Sequence, residues 1–426
     1  MNDSKTAFKS REQLVKFLGI FSPHISKPTE KFVGEMLFGI QASQDTLLSE
    51  IGRSLREDIK LKKTEERLCR HLAKAGLDEK LHLGIVEDAK RFIGERTIIS
   101  IDPTDIQKDY AEKMPYLDKV WDGSKGRVGD NLGYWCCMAV ACENGCRRIV
   151  PLHLRLWSVK APGYVSEGDE VQQVIMQVAL ATNKRGIYVY DRGGDGDVMF
   201  AFFLENALDF IVRLVGDRYL IDWGTRKVLA RDLAAQCVLK YEDSVHFKSH
   251  NKVHNVRVQY GSMPVRLPDY PDRELRLVVV KWPKSEGRMM LLTTLEAVRT
   301  RESLWEVVQG YLTRWRVEDT LRYIKTSYNV EHVRVLDYQR LKNMAALIAA
   351  VAYFAAAWLG RQLKLGVLAE HIAKVSKRMF DVPEFFYYAI ADGLKWLFVS
   401  HGKWRGPSER FDGKGDLQME LEFADG

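Results

Sequence analysis

Two short apolar segments, each ending on an aspartate, constrain the fold of this chain most strongly. TIISID delivers Asp102 and IYVYD delivers Asp191. From about residue 97 to 215 the pattern reads as three strands, a helix, a strand, a helix and a strand. This order predicts an α/β fold in which a mixed sheet is flanked by helices. A carboxylate at the end of an apolar strand is a position typical of a functional site.

A third carboxylate lies in YLTRWRVEDTLRYIK, which we predict to be part of one long helix. At about 100° per residue, Tyr311, Arg314, Glu318 and Lys325 fall within roughly 60° of one helical face. A hydroxyl, two cations and a carboxylate suit a phosphate backbone that carries a metal ion. The alternative interpretation is an exposed face of i,i+4 ion pairs.

Three clustered carboxylates repel one another unless cations lie among them. If Asp102, Asp191 and Glu318 converge, their oxygens favour hard ions, above all Mg²⁺ with retained waters. Two such ions, roughly 4 Å apart, activate a water or a 3′-hydroxyl and stabilise the leaving oxygen of a phosphodiester. Other acids are open as alternatives, but they fall in turns, where aspartate is common. These are Asp105, Asp195 and Asp197.

The spacing Tyr-x2-Arg-x3-Glu-x6-Lys resembles the signature of the insertion-sequence-four family of DDE transposases. IDPTDI, VYDRGGDGD followed by FIVRLVGDR, and LLTTLE are similar to that family's blocks around its first two aspartates and its last strand. The resemblance covers about residues 97–342. It implies a ribonuclease-H-like core interrupted by a β-rich insertion, with an N-terminal helical domain that recognises transposon ends.

The resemblance also assigns roles to residues. It makes Asp102, Asp191 and Glu318 the catalytic metal ligands, with two Mg²⁺ ions for which Mn²⁺ substitutes. It implies that four other side chains contact DNA: Tyr311, Arg314, Lys325 and Arg213. One departure is Met289, which stands where some relatives carry a tryptophan that stacks on a flipped base, while Trp282 is out of register. Hairpin chemistry with base flipping is therefore less well supported than cleavage.

These patterns divide the chain into five regions. We predict a helical end-binding domain at 1–96, the first part of the core at 97–215, a β-strand insertion at 216–288, the second part of the core at 289–342, and a helical C-terminal region at 343–426. The last region has exposed-looking aromatic side chains and is our candidate for the dimer contact.

The N-terminal region reads as helices throughout. Leu47, Leu48, Ile51 and Leu55 recur at helical spacing after Ser43, a plausible N-cap. Two short helices broken near residue 39, followed by the basic IKLKKTEERLCRHLAK, resemble a helix-turn-helix. An ordinary helical bundle with a basic exposed face is the alternative.

Within the insertion, HFKSHNKVHNVRVQYG combines histidines and cations. Helical spacing of His246, His250 and His254 raises a zinc interpretation, but the segment runs into a strand. A basic hairpin or loop that follows DNA is the better prediction. Its cations are Lys248, Lys252 and Arg257.

Composition bounds the function without deciding it. The chain has 426 residues, a net charge of +7 and a pI near 8.9, which is a mild basic excess compatible with nucleic acid. No apolar segment typical of a signal peptide is visible, so we expect a cytoplasmic protein. The apolar run Met344–Leu359 is too short and alanine-rich for a membrane span, so a core helix is expected. Cys136, Cys137, Cys142 and Cys146 fit no standard zinc spacing, and reduced, partly buried thiols are the better interpretation.

The expected function is a cut-and-paste transposase. Hydrolysis frees a 3′-hydroxyl at each transposon end, and this hydroxyl attacks target DNA. We expect double-stranded DNA and a second copy of the chain as partners, with no nucleotide cofactor and no membrane. Two alternatives stay open: a repurposed DNA-binding protein without activity, and a non-mobile nuclease with the same core. A glycosidase with paired acids is more distant, because it gives the Tyr-Arg-Lys set no role.

Overall fold

The computed structural model describes most of the chain. The described residues are 2–108, 111–122, 127–146, 148–249, 252–283, 285–295, 300–360, 365–380, 386–401 and 403–404.

Helices occupy the N-terminal region, as predicted. Their bounds are α1 Asp3–Leu18, α2 Lys27–Ser43, α3 Leu48–Leu55, α4 Leu61–Leu72 and α5 Leu77–Ala89. The predicted break near residue 39 is wrong, because α2 runs through Gly39 without interruption. Ser43 is the last residue of α2 rather than an N-cap, and Leu47 precedes α3. Gly39 instead lets two helices approach closely.

The central sheet has the predicted strand order along the chain, with one added strand. The first six strands are β1 Ile98–Gln107, β2 Asp118–Asp122, β3 Arg127–Cys142, β4 Ile149–Trp157, β5 Ile187–Tyr190 and β6 Asp209–Arg213. The helices between them are α6 Glu167–Ala181 and α7 Asp197–Glu205. Glycine is required at Gly186, just before β5, where φ is +99° and a Cβ would lie 2.5 Å from a methyl of Ile99.

Strand pairing gives the core a ribonuclease-H-like arrangement. The spatial order is β4-β3-β1-β5-β6, in which β1, β5 and β6 are parallel, while β3 is antiparallel to both β1 and β4. Parallel strands need crossovers, and α6 and α7 supply helices for this purpose. The fold class is thus the predicted α/β class with a mixed sheet.

The insertion is rich in β-strands, as predicted, but its strands extend the same sheet. They are β7 Tyr219–Ile221, β8 Lys227–Leu229, β9 Tyr241–Ser249, β10 Lys252–Leu267 and β11 Tyr270–Lys281, with α8 Ala230–Gln236 between β8 and β9. β11 pairs with β12 Met289–Thr293, which returns to β6. The segment MPVRLPDYPD forms only a tight turn at 268–269, because its other residues belong to β10 and β11.

Five α-helices follow β12 in the part of the chain that the structure describes. They are α9 Arg301–Thr313, α10 Trp315–Tyr328, α11 Tyr338–Tyr353 with a π-helical extension Phe354–Leu359, α12 Gly366–Phe380 and α13 Phe386–Ser400. Among the described residues, one helical stretch, Tyr338–Leu359, is long and apolar enough to cross a membrane, but 89% of its most apolar window is buried inside the protein. This stretch is the predicted core helix.

The N-terminal and C-terminal helices pack on each other. α13 contacts α1, α2 and α12, and a single hydrophobic cluster runs from Ala7 to Trp404. The expectation of exposed C-terminal aromatics is mostly wrong, since Tyr387 and Phe398 are buried, although Phe386 is 43% exposed. These buried aromatic side chains pack against other helices of the same chain, so they offer the proposed dimer contact little exposed surface.

Candidate active site

Asp102 lies inside a strand rather than at its end. β1 continues five residues beyond Asp102, which is paired with Met138 of β3. Parallel pairing with β5 stops earlier, at Ser100 and Val189. The carboxylate therefore lies where β1 has lost its parallel neighbour, and its side chain is only 17% exposed.

Asp191 follows β5 directly, as the sequence predicts. Its Oδ1 accepts a hydrogen bond from the backbone N–H of Gly193 at 2.9 Å, which caps a short 3-10 turn. Parallel strands present their C-terminal ends at one edge of a sheet, so the ends of β5 and β6 lie at the same edge.

Glu318 lies in the first turn of α10. The predicted single helix is interrupted at Arg314, which caps both α9 and α10 although its backbone has helical angles. A 3-10-type hydrogen bond, from the N–H of Val317 to the carbonyl of Arg314, tightens this junction. Glu318 stays one turn from Arg314, as the predicted helical face requires.

The guanidinium of Arg314 joins two of the three carboxylates. It donates to Asp102 Oδ1 at 3.2 Å and to Glu318 Oε1 at 2.8 Å. Burial alone would lower the pKa of Arg314, but the nearby acidic groups, Asp102, Glu318 and Asp191 among them, hold the pKa above its usual value. The structure therefore brings Asp102 and Glu318 into contact with one buried cation, with which Asp191 interacts electrostatically.

The carboxyl group of Asp102 is electrostatically strained by this arrangement. Burial raises its pKa from 3.8 to about 7, and the negative charges of Glu318 and Asp191 add to the rise, whereas Arg314 opposes it. An ordinary buried ion pair would favour the charged form. One guanidinium is thus too little positive charge for three acids.

The donor set fits a hard divalent cation. All three groups are carboxylates, and Asp102 lacks sufficient neutralising charge. With Arg314 between them, the acids are not close enough to form a ready-made metal cluster, and no group of three or more His, Cys, Asp or Glu ligands occurs in the part of the chain that the structure describes. An ion held by these acids would have to compete with the guanidinium.

Comparison with known proteins places this core in a family. The sequence matches the family described as "Transposase DDE domain" over residues 93–354, which is well over half of the chain. The chain belongs to the DDE-domain transposases. The matched range begins just before β1 and ends with α11, so it includes the three carboxylates and the β-rich insertion.

Two other comparisons complete this result. Among curated proteins, none matches the chain. Among solved structures, a piggyBac transposase synaptic complex with hairpin DNA, determined by cryo-electron microscopy, is similar with a TM-score of 0.41 and 11% identity, covering 94% of this chain and 81% of that one.

The other residues of the signature are more buried than expected in this transposase. Tyr311 is 3% exposed and packs into the smaller of two hydrophobic clusters, 6.0 Å from ring centre to the Arg314 guanidinium carbon. Lys325 donates to the carbonyl of Asp105 at 2.9 Å and lies 3.3 Å from a carboxylate oxygen of Glu331. Both side chains thus have structural contacts here, rather than the open positions that a phosphate-contacting set suggests.

Arg314 keeps one donor available. In the described part of the chain its Nε–H is buried without a hydrogen-bond partner. Such a buried, unpaired donor is costly unless an acceptor reaches it, and a phosphate oxygen would be a suitable acceptor.

The predicted DNA-contacting cations outside the signature lie in two places. Arg213 is the last residue of β6, and thus lies at the edge where β5 delivers Asp191. Lys248 lies on β9 and Lys252 on β10, and residues 250 and 251 are outside the described residues. Arg257 follows on β10 and is 79% exposed.

The histidine segment forms a β-hairpin, so the helical zinc interpretation is wrong. His246 lies on β9 and His254 on the antiparallel β10, and His250 is outside the described residues. Two strands running in opposite directions do not present a helical stripe. The antiparallel strands agree with the predicted hairpin, and its contact with DNA stays a prediction.

The alternative acids differ from the chosen ones in their partners. Arg218 forms ion pairs with both Asp195 and Asp197, and the backbone N–H of Val215 donates to Asp195. The negative charges of both acids are thereby balanced by Arg218. Asp105 lies on β1 near the site, and its Oδ2 is buried without a hydrogen-bond partner among the described residues. Cys136, Cys137 and Cys142 are buried, reduced thiols of β3, and Cys146 is half-buried, as the sequence favoured.

Sequence reasoning missed Trp315. It begins α10 directly after Arg314 and is 57% exposed, which is unusual for so large an apolar side chain. Its place between two signature residues was visible in the sequence, but its exposure depends on the interruption of the helix at Arg314.

A cleft of about 890 Å³ lies away from the carboxylates. It is lined by residues at the other ends of the parallel strands, among them Thr97, Ile187 and Asp209, and by none of the proposed catalytic side chains. The acids instead occupy an open edge of the sheet, which suits a macromolecular substrate better than a small enclosed one.

Proposed function

We propose that this chain is a cut-and-paste transposase of the insertion-sequence-four type. It hydrolyses phosphodiester bonds at transposon ends and transfers the freed 3′-hydroxyls into target DNA. The observation that carries the proposal is the convergence of Asp102, Asp191 and Glu318 around Arg314 within a DDE-domain core. Burial, together with the negative charges of Glu318 and Asp191, raises the pKa of Asp102, and perturbed pKa values are concentrated at functional sites.

The three acids would hold the divalent metal. Transposases with this domain generally use divalent ions, and we propose two Mg²⁺ ions, for which Mn²⁺ substitutes. When bound, these ions supply an activated water or 3′-hydroxyl and stabilise the leaving oxygen. Asp102 and Glu318 would then exchange the guanidinium for a metal partner, which frees Arg314 for another anion.

The cations of the site would hold the DNA. Arg314 is suited to a phosphate because its Nε–H is unpaired and its guanidinium can donate two parallel bonds. Lys325 and Arg213 would add positive charge near the acids, and the hairpin residue Arg257, now 3.6 Å from a carboxylate oxygen of Glu242, would contact DNA farther along the sheet. The ring of Tyr311 contacts the guanidinium of Arg314 and stabilises its position. The hydroxyl of Tyr311 is proposed to reach a phosphate only when DNA is bound.

The proposed transposition reaction determines which partners the protein needs. The substrate is double-stranded DNA at the transposon ends and at the target, and two copies of the chain are needed so that both ends are held together. Transesterification conserves bond energy, so no nucleotide cofactor is required. We propose that the protein acts in the cytoplasm, on the nucleoid.

Cleavage of DNA that contains the boundaries of the gene's flanking repeats tests this function. Wild type with Mg²⁺ should cut at the repeat boundaries, while D102N, D191N and E318Q should bind the same DNA without cutting. D197N is the matched control, because it removes an exposed carboxylate at the start of α7 that pairs with Arg218, and it should cut normally.

Other outcomes identify the alternative functions. Binding of the repeats without cutting in Mg²⁺ or Mn²⁺ would indicate a repurposed DNA-binding protein. Cutting without preference for the repeats and without strand transfer would indicate a non-mobile nuclease. Cutting that survives E318Q would refute the assignment of the third acid.

A further inference from the structure

The contacts that Glu318 makes in the site cannot fix the position of helix α10 during catalysis. The guanidinium of Arg314 joins Glu318 to Asp102, but a metal held by these acids would replace those bonds. Glu318 lies in the first turn of α10, and no side chain of the described residues caps that end of the helix. The distance between Glu318 and Asp102 in the loaded site must therefore be set by other contacts of α10.

Lys108 binds the turn that follows α10. It comes directly after β1, the strand of Asp102, and is only 4% exposed. Its Nζ donates to three carbonyls of this turn, those of Val330 at 3.1 Å, Glu331 at 2.7 Å and Val333 at 3.2 Å. A buried amino group is costly unless its hydrogen bonds are made. The end of β1 and the end of α10 are therefore joined through one side chain.

A second bond ties α10 to the same strand. The Nζ of Lys325 donates to the carbonyl of Asp105 on β1 at 2.9 Å. Lys325 lies about two helical turns after Glu318, or roughly 10 Å along the axis. Because a helix moves as a stiff unit over this length, a shift of its C-terminal end along β1 would move Glu318 relative to Asp102. Since Lys325 is proposed to turn to a phosphate when DNA binds, Lys108 is the tie that remains.

The same end of α10 is also bonded to the N-terminal helices. The hydroxyl of Tyr328, which is fully buried, donates to Oε1 of Gln41 in α2 at 3.2 Å. The hydroxyl of Thr46, just after α2, donates to the carbonyl of Asn329 at 3.0 Å. Asn329 ends the helix in the left-handed region, with a φ of +47°. The C-terminal end of α10 is thus held both by the α2 region and by the strand that carries the first aspartate.

We propose that Lys108 is a positioning residue for the reaction, which sets the distance of Glu318 from Asp102 by fixing the C-terminal end of α10 against β1. Lys108 contacts neither the metal nor the DNA, and it acts through Glu318. The inference rests on the proposed function, because it requires that the three acids hold a metal. Its signature is a loss of metal affinity and of turnover, with an unchanged affinity for DNA.

Mn²⁺ binding to the DNA-free protein, measured by electron paramagnetic resonance, tests the inference without an activity assay. We expect K108M, which keeps the length of the side chain without its donors, to weaken Mn²⁺ binding about tenfold. In the E318Q background, the same change should alter Mn²⁺ binding less than about twofold, because the group through which Lys108 acts is gone. A merely structural role of Lys108 would give the same loss in both backgrounds.

Cleavage kinetics give the second measurement. At saturating repeat DNA and Mg²⁺, K108M should slow cleavage by about 10- to 100-fold, because a displaced carboxylate misplaces the metal, while the KM for the DNA should not change. Y328F removes the hydroxyl that binds Gln41 at the same helix end. It should give the same pattern with smaller losses, and it tests the inference if K108M does not fold.

The matched control is T182V. It removes a fully buried hydroxyl that donates to the carbonyl of Val178 at 2.9 Å, at the end of α6. This bond lies in the same core but reaches neither α10 nor β1, so T182V should bind Mn²⁺ and cut like wild type.

The outcomes separate the inference from the proposed function. If wild type binds Mn²⁺ and cuts at the repeats while K108M and Y328F behave like T182V, the inference is overturned and the proposed function stands. An equal loss of Mn²⁺ affinity from K108M in wild type and in E318Q would also overturn it. If wild type neither binds Mn²⁺ nor cuts the repeat DNA, the proposed function fails, and the inference fails with it.

Discussion

Replacement of Asp102 by asparagine should stabilise the metal-free protein while abolishing its activity. The pKa of Asp102 is raised to about 7, mainly by burial and then by Glu318 and Asp191. Between about pH 4 and pH 7 the folded state therefore keeps a proton that the unfolded state has lost. The stability from this group is fully present below about pH 4 and is lost as the pH rises through 7. Asparagine cannot ionise, so the variant keeps that stability.

The size of the effect follows from the pKa shift. A rise from 3.8 to about 7 corresponds to about 4 kcal/mol at about 1.4 kcal/mol per pH unit. The D102N variant should therefore be more stable than wild type by up to about 4 kcal/mol above pH 7, and by almost nothing near pH 4. A gain of this size from one substitution is exceptional and is expected only where function has been favoured over stability.

Urea unfolding with EDTA at about pH 4, 6 and 8 measures this difference. D197N is the control, because its carboxylate is exposed and bonded to Arg218, and its removal should not stabilise the protein at any pH. Addition of Mg²⁺ at pH 8 should stabilise wild type and leave D102N unchanged. If D102N is less stable than wild type at pH 8, the acids do not repel one another as described.

Three further predictions test other parts of the structure. R314Q removes the cation shared by two carboxylates, so it should destabilise the metal-free protein at pH 8. MnCl₂ should also raise the melting temperature of R314Q more than that of wild type. An equal rise in both proteins would contradict this role of Arg314. Burial lowers the pKa of Lys108 to about 7, so between pH 7 and about pH 10 the unfolded state holds a proton that the folded state has lost. The free energy of unfolding, measured with urea, should therefore rise with pH in wild type but not in K108M. An equal rise with pH in both proteins would refute this account. N343L should cost about 2–4 kcal/mol of unfolding free energy, because it leaves several buried backbone groups unpaired, whereas Q339M, which removes one of the bonds to Asn343, should cost less than half as much.

Much of the core could be predicted from the sequence because its strands are short, apolar and separated by clear helical periods. The strand that precedes Asp191 was found because four consecutive apolar residues end directly at the aspartate. Asp102 was placed at a strand end for the same reason, but β1 continues, since pairing with β3 compensates for the polar residues that follow. Hydrophobic pattern alone does not contain this long-range pairing.

Helical spacing predicts contacts within one helix but not the contacts between that helix and the sheet. Glu318 and Arg314 were placed on one face by helical spacing, and the i,i+4 contact is present. The link from Arg314 to Asp102 joins residues 212 positions apart in sequence and follows only from the assembled sheet. The burial of Tyr311 and the bonds of Lys325 to β1 likewise depend on tertiary packing.

The N-terminal helices show the opposite error. The glycine at position 39 was interpreted as a break, yet α2 continues through it, because the missing side chain admits Ile51 of α3. A glycine inside a helix costs roughly 1 kcal/mol relative to alanine, which close packing can offset.

Iron-dependent cleavage of the protein chain tests the central claim, that the three acids form one divalent-metal site, most directly. With added hydrogen peroxide, Fe²⁺ bound in place of Mg²⁺ would reduce the peroxide to hydroxide and a hydroxyl radical, with ascorbate returning Fe³⁺ to Fe²⁺. The radical cuts the backbone near the metal, and no DNA is required. We predict cuts close to Asp102, Asp191 and Glu318, suppressed by excess Mg²⁺ and absent from D102N. Cuts confined to other regions, or a pattern that D102N leaves unchanged, would contradict the claim.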